Sequence, residues 1–400
     1  MSLNFSKSLI LTSSPIFGDI IYFNLWDTSN ATKTKESSPP GEMGFPLKGE
    51  TMEFFNAQRR NQLFEEFVHP RILKHGKIFR TRIMGSPTVV VNGAEANKFL
   101  LSNEFKLVKS SWPSSSVELM GRDSIMEKDG ERHRFLRGVI GTSLGYAGLE
   151  LLVLKLCNSV LKLAQALANK RLVFTVQQNV VFECLLGIKV EPGLLDTFER
   201  MLEGVFSPAV MFPGQGGDRK DVGQSGEREE KGNGRKHGKR TRWNAAVQIG
   251  IRDDPRGEKE VIDNVVLLVF AAHDTTFAVA MTFKIWGENL TMEDIKKMNY
   301  TWQVARGSMR LFPPIFGSFR KAITDIEYEG FIIPRGWKVL WTTYGTHYNE
   351  EYFKDPMSFN PNRFEEGIPQ YAFVPFGGRP RVCAGYQLAK LISSYLCTML

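Results

Sequence analysis

Between residues 51 and 67 Phe and Leu recur at helical spacing, which predicts a single helix. Apolar and polar residues then alternate over 77–83 and 88–91, the period of a half-buried strand. Gly85-Ser86-Pro87 between them predicts a hairpin turn. Helical periodicity returns over 94–101, 131–144, 149–168 and 175–186. The pattern breaks at Gly214. From there to Arg242 the chain carries nine Lys/Arg, five Asp/Glu, many glycines and almost no apolar side chain. Such a stretch cannot bury enough surface to offset its ordering entropy, so a solvated loop is expected across 214–257. The aromatic interleaving of a nucleic-acid arm is absent from it.

Order resumes with VIDNVVLLVFAAHDTTFAVAMTFKIW at 261–286, a long apolar helix holding His273, Asp274, Thr275 and Thr276. Polar groups inside so apolar a helix must be hydrogen-bonded or do chemistry. Thr291 can cap a further helix that runs through Arg310 and stops ahead of Pro313-Pro314. Short strands are expected at 326–333 and 338–343, and a helix from about Gln387. Ahead of all these, SSPPGEMGFPLKG at 37–49 reads as a stiff lead into the globular body, because proline fixes φ and glycine permits reversals.

Composition changes this picture in three ways. The 42% hydrophobic content suffices for a sizeable core. A net charge of +8 suits an acidic protein partner or an anionic membrane surface, and it does not demand nucleic acid. Cys157 and Cys184 sit in apolar runs as buried thiols, and the four cysteines show neither disulfide nor zinc spacing, so a reducing, cytosol-facing compartment follows. Residues 9–26 are rich in Ile, Leu, Phe and Trp but interrupted by Pro15, Asp19 and Asn24, a pattern expected of a weak membrane anchor within 1–36.

The most informative segment for chemistry is Phe376-Gly-Gly-Arg-Pro-Arg-Val-Cys383-Ala-Gly385. A cysteine in a Gly/Pro loop running into a helix has its sulfur near free backbone N–H donors. Those donors and the helix N-terminus are expected to lower the thiol pKa, so that a thiolate persists as a metal ligand. Read alone, a structural cysteine in a turn is as good an account.

The surrounding motifs resemble those of the cytochrome P-450 superfamily from Pro39 onward. The cysteine loop is similar to its haem-ligand segment, AAHDTT at 271–276 to its oxygen-activation motif, PMSFNPNRF at 356–364 to its Pro-Arg-Phe segment, and PPGEMGFPLKG to its proline hinge. YTWQVAR, LFPPIFGSFRKAITDIEYEGFIIPRGWKVLWTTYGTH and KLVKSSWPSSSVELMG look like plant terpenoid-oxidising members, the triterpene oxidases and taxane hydroxylases.

The resemblance implies a mainly α fold with a small β part, residues 37–400 forming one haem-thiolate monooxygenase domain. It implies hydroxylation of a hydrophobic terpenoid with O2, electrons from an NADPH-dependent reductase, and a place on the cytosolic face of the endoplasmic reticulum membrane. Carried onto this chain, Cys383 ligates iron and Phe376 packs beside the sulfur. Asp274 and Thr275 manage protons. His133 and Arg137, four apart on one helical face, join Arg320 and Arg381 at the haem propionates. Ile315, Phe316 and Val266 are expected in either the substrate pocket or the ordinary core, and His273 as a packed histidine.

The chain also departs from that family. Gly307 stands where relatives have the glutamate of Glu-x-x-Arg, the acid that bridges Arg310 and the equivalent of Arg363. Losing one member of a buried ionic group costs roughly 3–5 kcal/mol. Arg379 replaces a glycine of the cysteine loop, a strained choice if its φ is positive. The connection at Trp286–Leu290 is short, 214–257 stands in place of helices, and the chain stops at Leu400 before the family's terminal hairpin. These departures set up an alternative: a catalytically impaired member, from a frame-shifted, mis-assembled or decayed gene, that holds haem poorly.

Overall fold

The computed structural model describes residues 38–44, 49–150, 255–280 and 299–398. The segment 9–26, the helices expected at 151–168 and 175–186, and the basic stretch 214–242 lie outside the described residues.

A five-stranded sheet organises one side, in the order β1-β2-β7-β4-β3. β1 (Ile78–Ile83) and β2 (Ser86–Val91) form the expected antiparallel hairpin, with Ile83 opposite Ser86. The turn sits one residue earlier than expected. Its central residues are Met84 (φ 52°) and Gly85 (φ 70°), the left-handed pair a two-residue hairpin turn needs, and Pro87 falls in the strand. β3 (Val108–Ser110) pairs with β4 (Gly317–Ala322), and β4 pairs with β7 (Lys338–Thr342), which also runs parallel to β2. Residues 326–333 are not one strand. They form a second hairpin, β5 (Ile326–Tyr328) and β6 (Phe331–Ile333), because Glu329 (φ 52°) and Gly330 (φ 77°) reverse the chain.

The long helix expected at 51–67 divides. α1 (Thr51–Arg59) ends where Asn61 turns left-handed (φ 54°). A π-helical turn at Phe64–Val68 follows, then α2 (His69–His75). The split lets Phe54, Leu63, Phe67 and Val68 all reach a core shared with Phe79, Ile83, Val90, Phe319 and Leu340. Phe316 belongs to this packing, its ring 5.6 Å from that of Phe54, so it is core. The proline hinge runs along β1: Arg80 N–H donates to Pro40 O at 2.8 Å and Glu50 N–H to Arg82 O at 2.9 Å. Gly41 (φ 135°) is required there, since a Cβ would lie 2.2 Å from Arg80 O.

The remaining helices are α3 (Ala94–Ser102), α4 (Ser114–Met120), α5 (Gly130–Leu144), α6 (Tyr146–Glu150), α7 (Pro255–Ala280), α8 (Asn299–Leu311), α9 (Tyr344–His347) and α10 (Tyr386–Thr398). α10 packs on both α7 and α8, so the AAHDTT helix and the cysteine helix are neighbours. α7 is also tied to the loop before α5. Asp263 accepts from Asp123 N–H, Asn264 from Ile125 N–H, both at 2.8 Å, and Glu260 pairs with Arg132.

Candidate functional site

Cys383 lies between a 3-10 turn (Arg379–Arg381) and α10, and its N–H donates to Phe376 O at 2.9 Å, closing the loop. Its thiol is free and exposed on one side. The backbone N–H of Gly385 and the charge of Arg137 both pull the thiol down, as expected for this loop, but burial among the other walls is the larger influence and leaves it raised. The expected net lowering is therefore corrected. The Gly385 N–H and Arg137 oppose that rise without overcoming it, and a coordinated metal would favour the thiolate. The Phe376 ring packs edge-on to Tyr386 at 5.0 Å, and Trp302 of α8 completes the aromatic group that braces the loop against α8 and α10.

The four basic residues singled out in the sequence converge on this loop. His133 is buried on α5 beside Phe105, and burial, then Arg381 and Arg137, depress it to about 4, so it is neutral at pH 7. Arg137, one turn on, is half-buried and close enough to Cys383 to influence its ionisation. Arg381 donates through Nη1 to Ile125 O (2.8 Å) and Met126 O (3.2 Å) and through Nη2 to Lys128 O (2.7 Å). Arg320, on β4, donates through Nη1 to Ser318 Oγ (2.7 Å) and Phe319 O (3.0 Å). Both arginines meet one acid that sequence reasoning missed: Glu104 Oε2 lies 2.6 Å from Arg320 Nε, and Glu104 Oε1 lies 3.1 Å from Arg381 Nε. Glu104 sits in the turn between α3 and β3 and shows no motif. The only available signal was the need of clustered buried arginines for a counter-charge.

Asp274 and Thr275 fall on α7, and their side chains lie outside the described residues, as does that of His273. Ile315 is 41% exposed at the end of the segment after α8.

The Glu-x-x-Arg departure has a definite structure. Arg310 is fully buried, and no carboxylate pairs with it among the described residues. It donates to the carbonyls of His347 and Ser358 at 2.9 Å and to that of Pro356, while among the described residues its Nε has no hydrogen-bond partner. Arg363 shares Ser358 O at 3.1 Å, so two guanidinium groups converge on one carbonyl oxygen. Burial, then Arg363, push Arg310 down to about 10, which still leaves it charged at neutral pH. The ring of Phe359 fills the place of the missing side chain: a Cβ on Gly307 would meet Phe359 Cε2 at 2.9 Å. Arg379 does adopt φ +56°, the strained geometry anticipated, and its Nε donates to Tyr371 Oη at 2.7 Å.

One accessible sulfur beside a group of cations suits an iron porphyrin carrying carboxylates: the thiol for the metal, the guanidinium groups for the acids. The class defined is a haem-thiolate protein. The profile of the Cytochrome P-450 family matches residues 281–400. Taxane 13-alpha-hydroxylase of Taxus cuspidata is 33% identical over 440 residues, covering 97% of this chain and 89% of that protein. Beta-amyrin 28-monooxygenase of Kalopanax septemlobus is 31% identical over 421 residues, covering 92% and 86%. Among solved structures, cyanobacterial CYP120A1 with retinoic acid bound superposes with a TM-score of 0.75 at 26% identity, covering 90% of this chain and 91% of that one. The chain belongs to the cytochrome P-450 family, an enzyme of the monooxygenase type with haem as its cofactor and electrons supplied by a redox partner.

Proposed function

We propose that this chain hydroxylates a hydrophobic terpenoid of triterpene or taxane-like diterpenoid type. One atom of O2 enters a C–H bond and the other leaves as water, with two electrons drawn from NADPH through a reductase and two protons, the second of them taken from the medium. The observation that carries the reading is the exposed Cys383 thiol beside Arg137, in a chain whose relatives are named as taxane hydroxylases and beta-amyrin monooxygenases. When bound, haem supplies the oxygen binding and electron storage. The chain's own residues do the rest. Cys383 ligates, His133, Arg137, Arg320 and Arg381 orient the propionates, and Phe376 packs beside the sulfur. Asp274 and Thr275 would hold and relay protons.

Residues 37–400 form the monooxygenase domain and 1–36 approach the endoplasmic reticulum membrane from the cytosol. The apolar run at 9–26 and the +8 charge support that placement. No described helix is long and apolar enough to cross a membrane. The reduced, carbon monoxide-bound absorption spectrum tests the ligation: a thiolate-type Soret band that Cys383→Ala abolishes is expected, and a band unchanged by that substitution refutes it. Addition of a taxane or of beta-amyrin should then shift the resting spectrum.

A second reading, impaired haem retention, is favoured by the Arg310 corner, where among the described residues the hydrogen bonds of a buried cation all go to carbonyls.

A further inference from the structure

Glu104 is a buried carboxylate, its side chain 1% exposed. It is fixed from three directions: Ser110 N–H and Arg381 Nε each donate to Oε1 at 3.1 Å, and Arg320 Nε lies 2.6 Å from Oε2. The contact to Arg320 is a charge contact without hydrogen-bond alignment, since both Arg320 Nε and Glu104 Oε2 lack an aligned partner among the described residues. These three groups come from distant parts of the sequence: a turn after α3, strand β4 and the cysteine loop. Both guanidinium groups therefore present their Nε edge to the same carboxylate.

The consequence for an anionic ligand follows from which donors remain. Arg320 uses Nε and Nη1 and makes no hydrogen bond through Nη2 among the described residues. Arg381 uses Nε, Nη1 and one hydrogen of Nη2. Two cations against one anion leave one net positive charge, with Arg320 Nη2 and one hydrogen of Arg381 Nη2 left without a hydrogen bond among the described residues. Without Glu104 two buried guanidinium groups would face each other unscreened and move apart.

We propose that Glu104 is a positioning residue for haem capture: it clamps Arg320 and Arg381 by their Nε edges so that Arg320 Nη2 and the remaining hydrogen of Arg381 Nη2 meet the propionates. This rests on the haem reading above. The carboxylate acts through the arginines and touches neither iron nor substrate. It also couples the cysteine loop to β4.

The test uses the full chain loaded with haemin or with haemin dimethyl ester, whose propionates carry no charge. Loss of porphyrin to excess apomyoglobin is timed for the native sequence, Glu104→Gln and Glu104→Asp, with melting of the haem-free proteins followed in parallel. Glu104→Gln should release haemin roughly tenfold faster and the dimethyl ester less than twofold faster, with Glu104→Asp between native and Gln. Should Glu104→Gln fail to fold, Glu104→Asp carries the comparison, because it keeps the charge while withdrawing it by one methylene. Equal acceleration for both porphyrins, or none for either, overturns the clamp while leaving haem binding intact. A native chain that takes up neither porphyrin removes the haem reading and the clamp together, and is distinguished by the missing Soret band.

Discussion

Restoring the acid at position 307 is the sharpest test of how the Arg310 corner is held. Arg310 has no exposed surface, its acceptors are carbonyl oxygens, its Nε lacks a partner among the described residues, and Arg363 repels it across Ser358 O. Buried ionic groups lose roughly 3–5 kcal/mol when one member is removed, which bounds what a returned carboxylate can contribute. Replacing glycine inside α8 adds about 0.5–1 kcal/mol through helix propensity. Against this, Phe359 must leave: its ring edge lies 2.9 Å from the new Cβ, but the residue is 50% exposed and can swing outward for roughly 1 kcal/mol of rotamer strain. Gly307→Glu should therefore stabilise the chain by about 2–4 kcal/mol, read from urea unfolding midpoints beside Gly307→Ala and Gly307→Gln. Alanine isolates the helix contribution and glutamine adds hydrogen bonding without charge. The gain should fade below about pH 4, where the new carboxylate protonates while the unfolded chain's already has. A Glu variant no more stable than Ala refutes the argument, because it would mean that the carbonyl acceptors already satisfy Arg310.

Other outcomes follow from the same geometry. Arg379→Gly should raise stability by about 1 kcal/mol by relieving a left-handed φ, whereas Arg379→Ala, which keeps the strain and loses the Tyr371 contact, should not; unfolding midpoints decide. His133 and His347 are held neutral, depressed to about 4 and about 3 chiefly by burial. The unfolded chain binds their protons below about pH 6.5 and the folded chain does not, so each should cost about 1.4 kcal/mol of stability per pH unit as pH falls below 6.5. His347→Gln should halve that slope between pH 6 and pH 5. Asp263→Ala should cost about 1–3 kcal/mol, since the Asp123 N–H loses its acceptor, and hydrogen exchange across 121–129 should quicken.

Local pattern was enough for elements whose identity depends on near neighbours. The β1–β2 hairpin, α3, α5, the start of α10 and the loop around Cys383 were all legible, and so was the convergence of His133 and Arg137, because a four-residue step on a helix fixes one face. What escaped depends on contacts distant in sequence. Asn61 breaks the first helix so that four apolar side chains reach one core, a tertiary demand that spacing does not announce. Residues 326–333 look continuous until Glu329 and Gly330 turn. The Cys383 loop advertises its N–H donors but not the walls that desolvate the thiol. Glu104 was invisible for the same reason: its arginine partners lie more than two hundred residues away along the chain.

The corner built around Ser358 makes structural integrity a matter of chain path. Carbonyl oxygens cannot be deleted by point substitution, so side-chain changes at 347, 356 and 358 leave the acceptors of Arg310 in existence. What they cannot survive is rerouting. The left-handed turn at Asp355 (φ 47°) sets where the next three oxygens fall, so insertions or deletions between 347 and 358 should be far less tolerated than any exchange of residue type there.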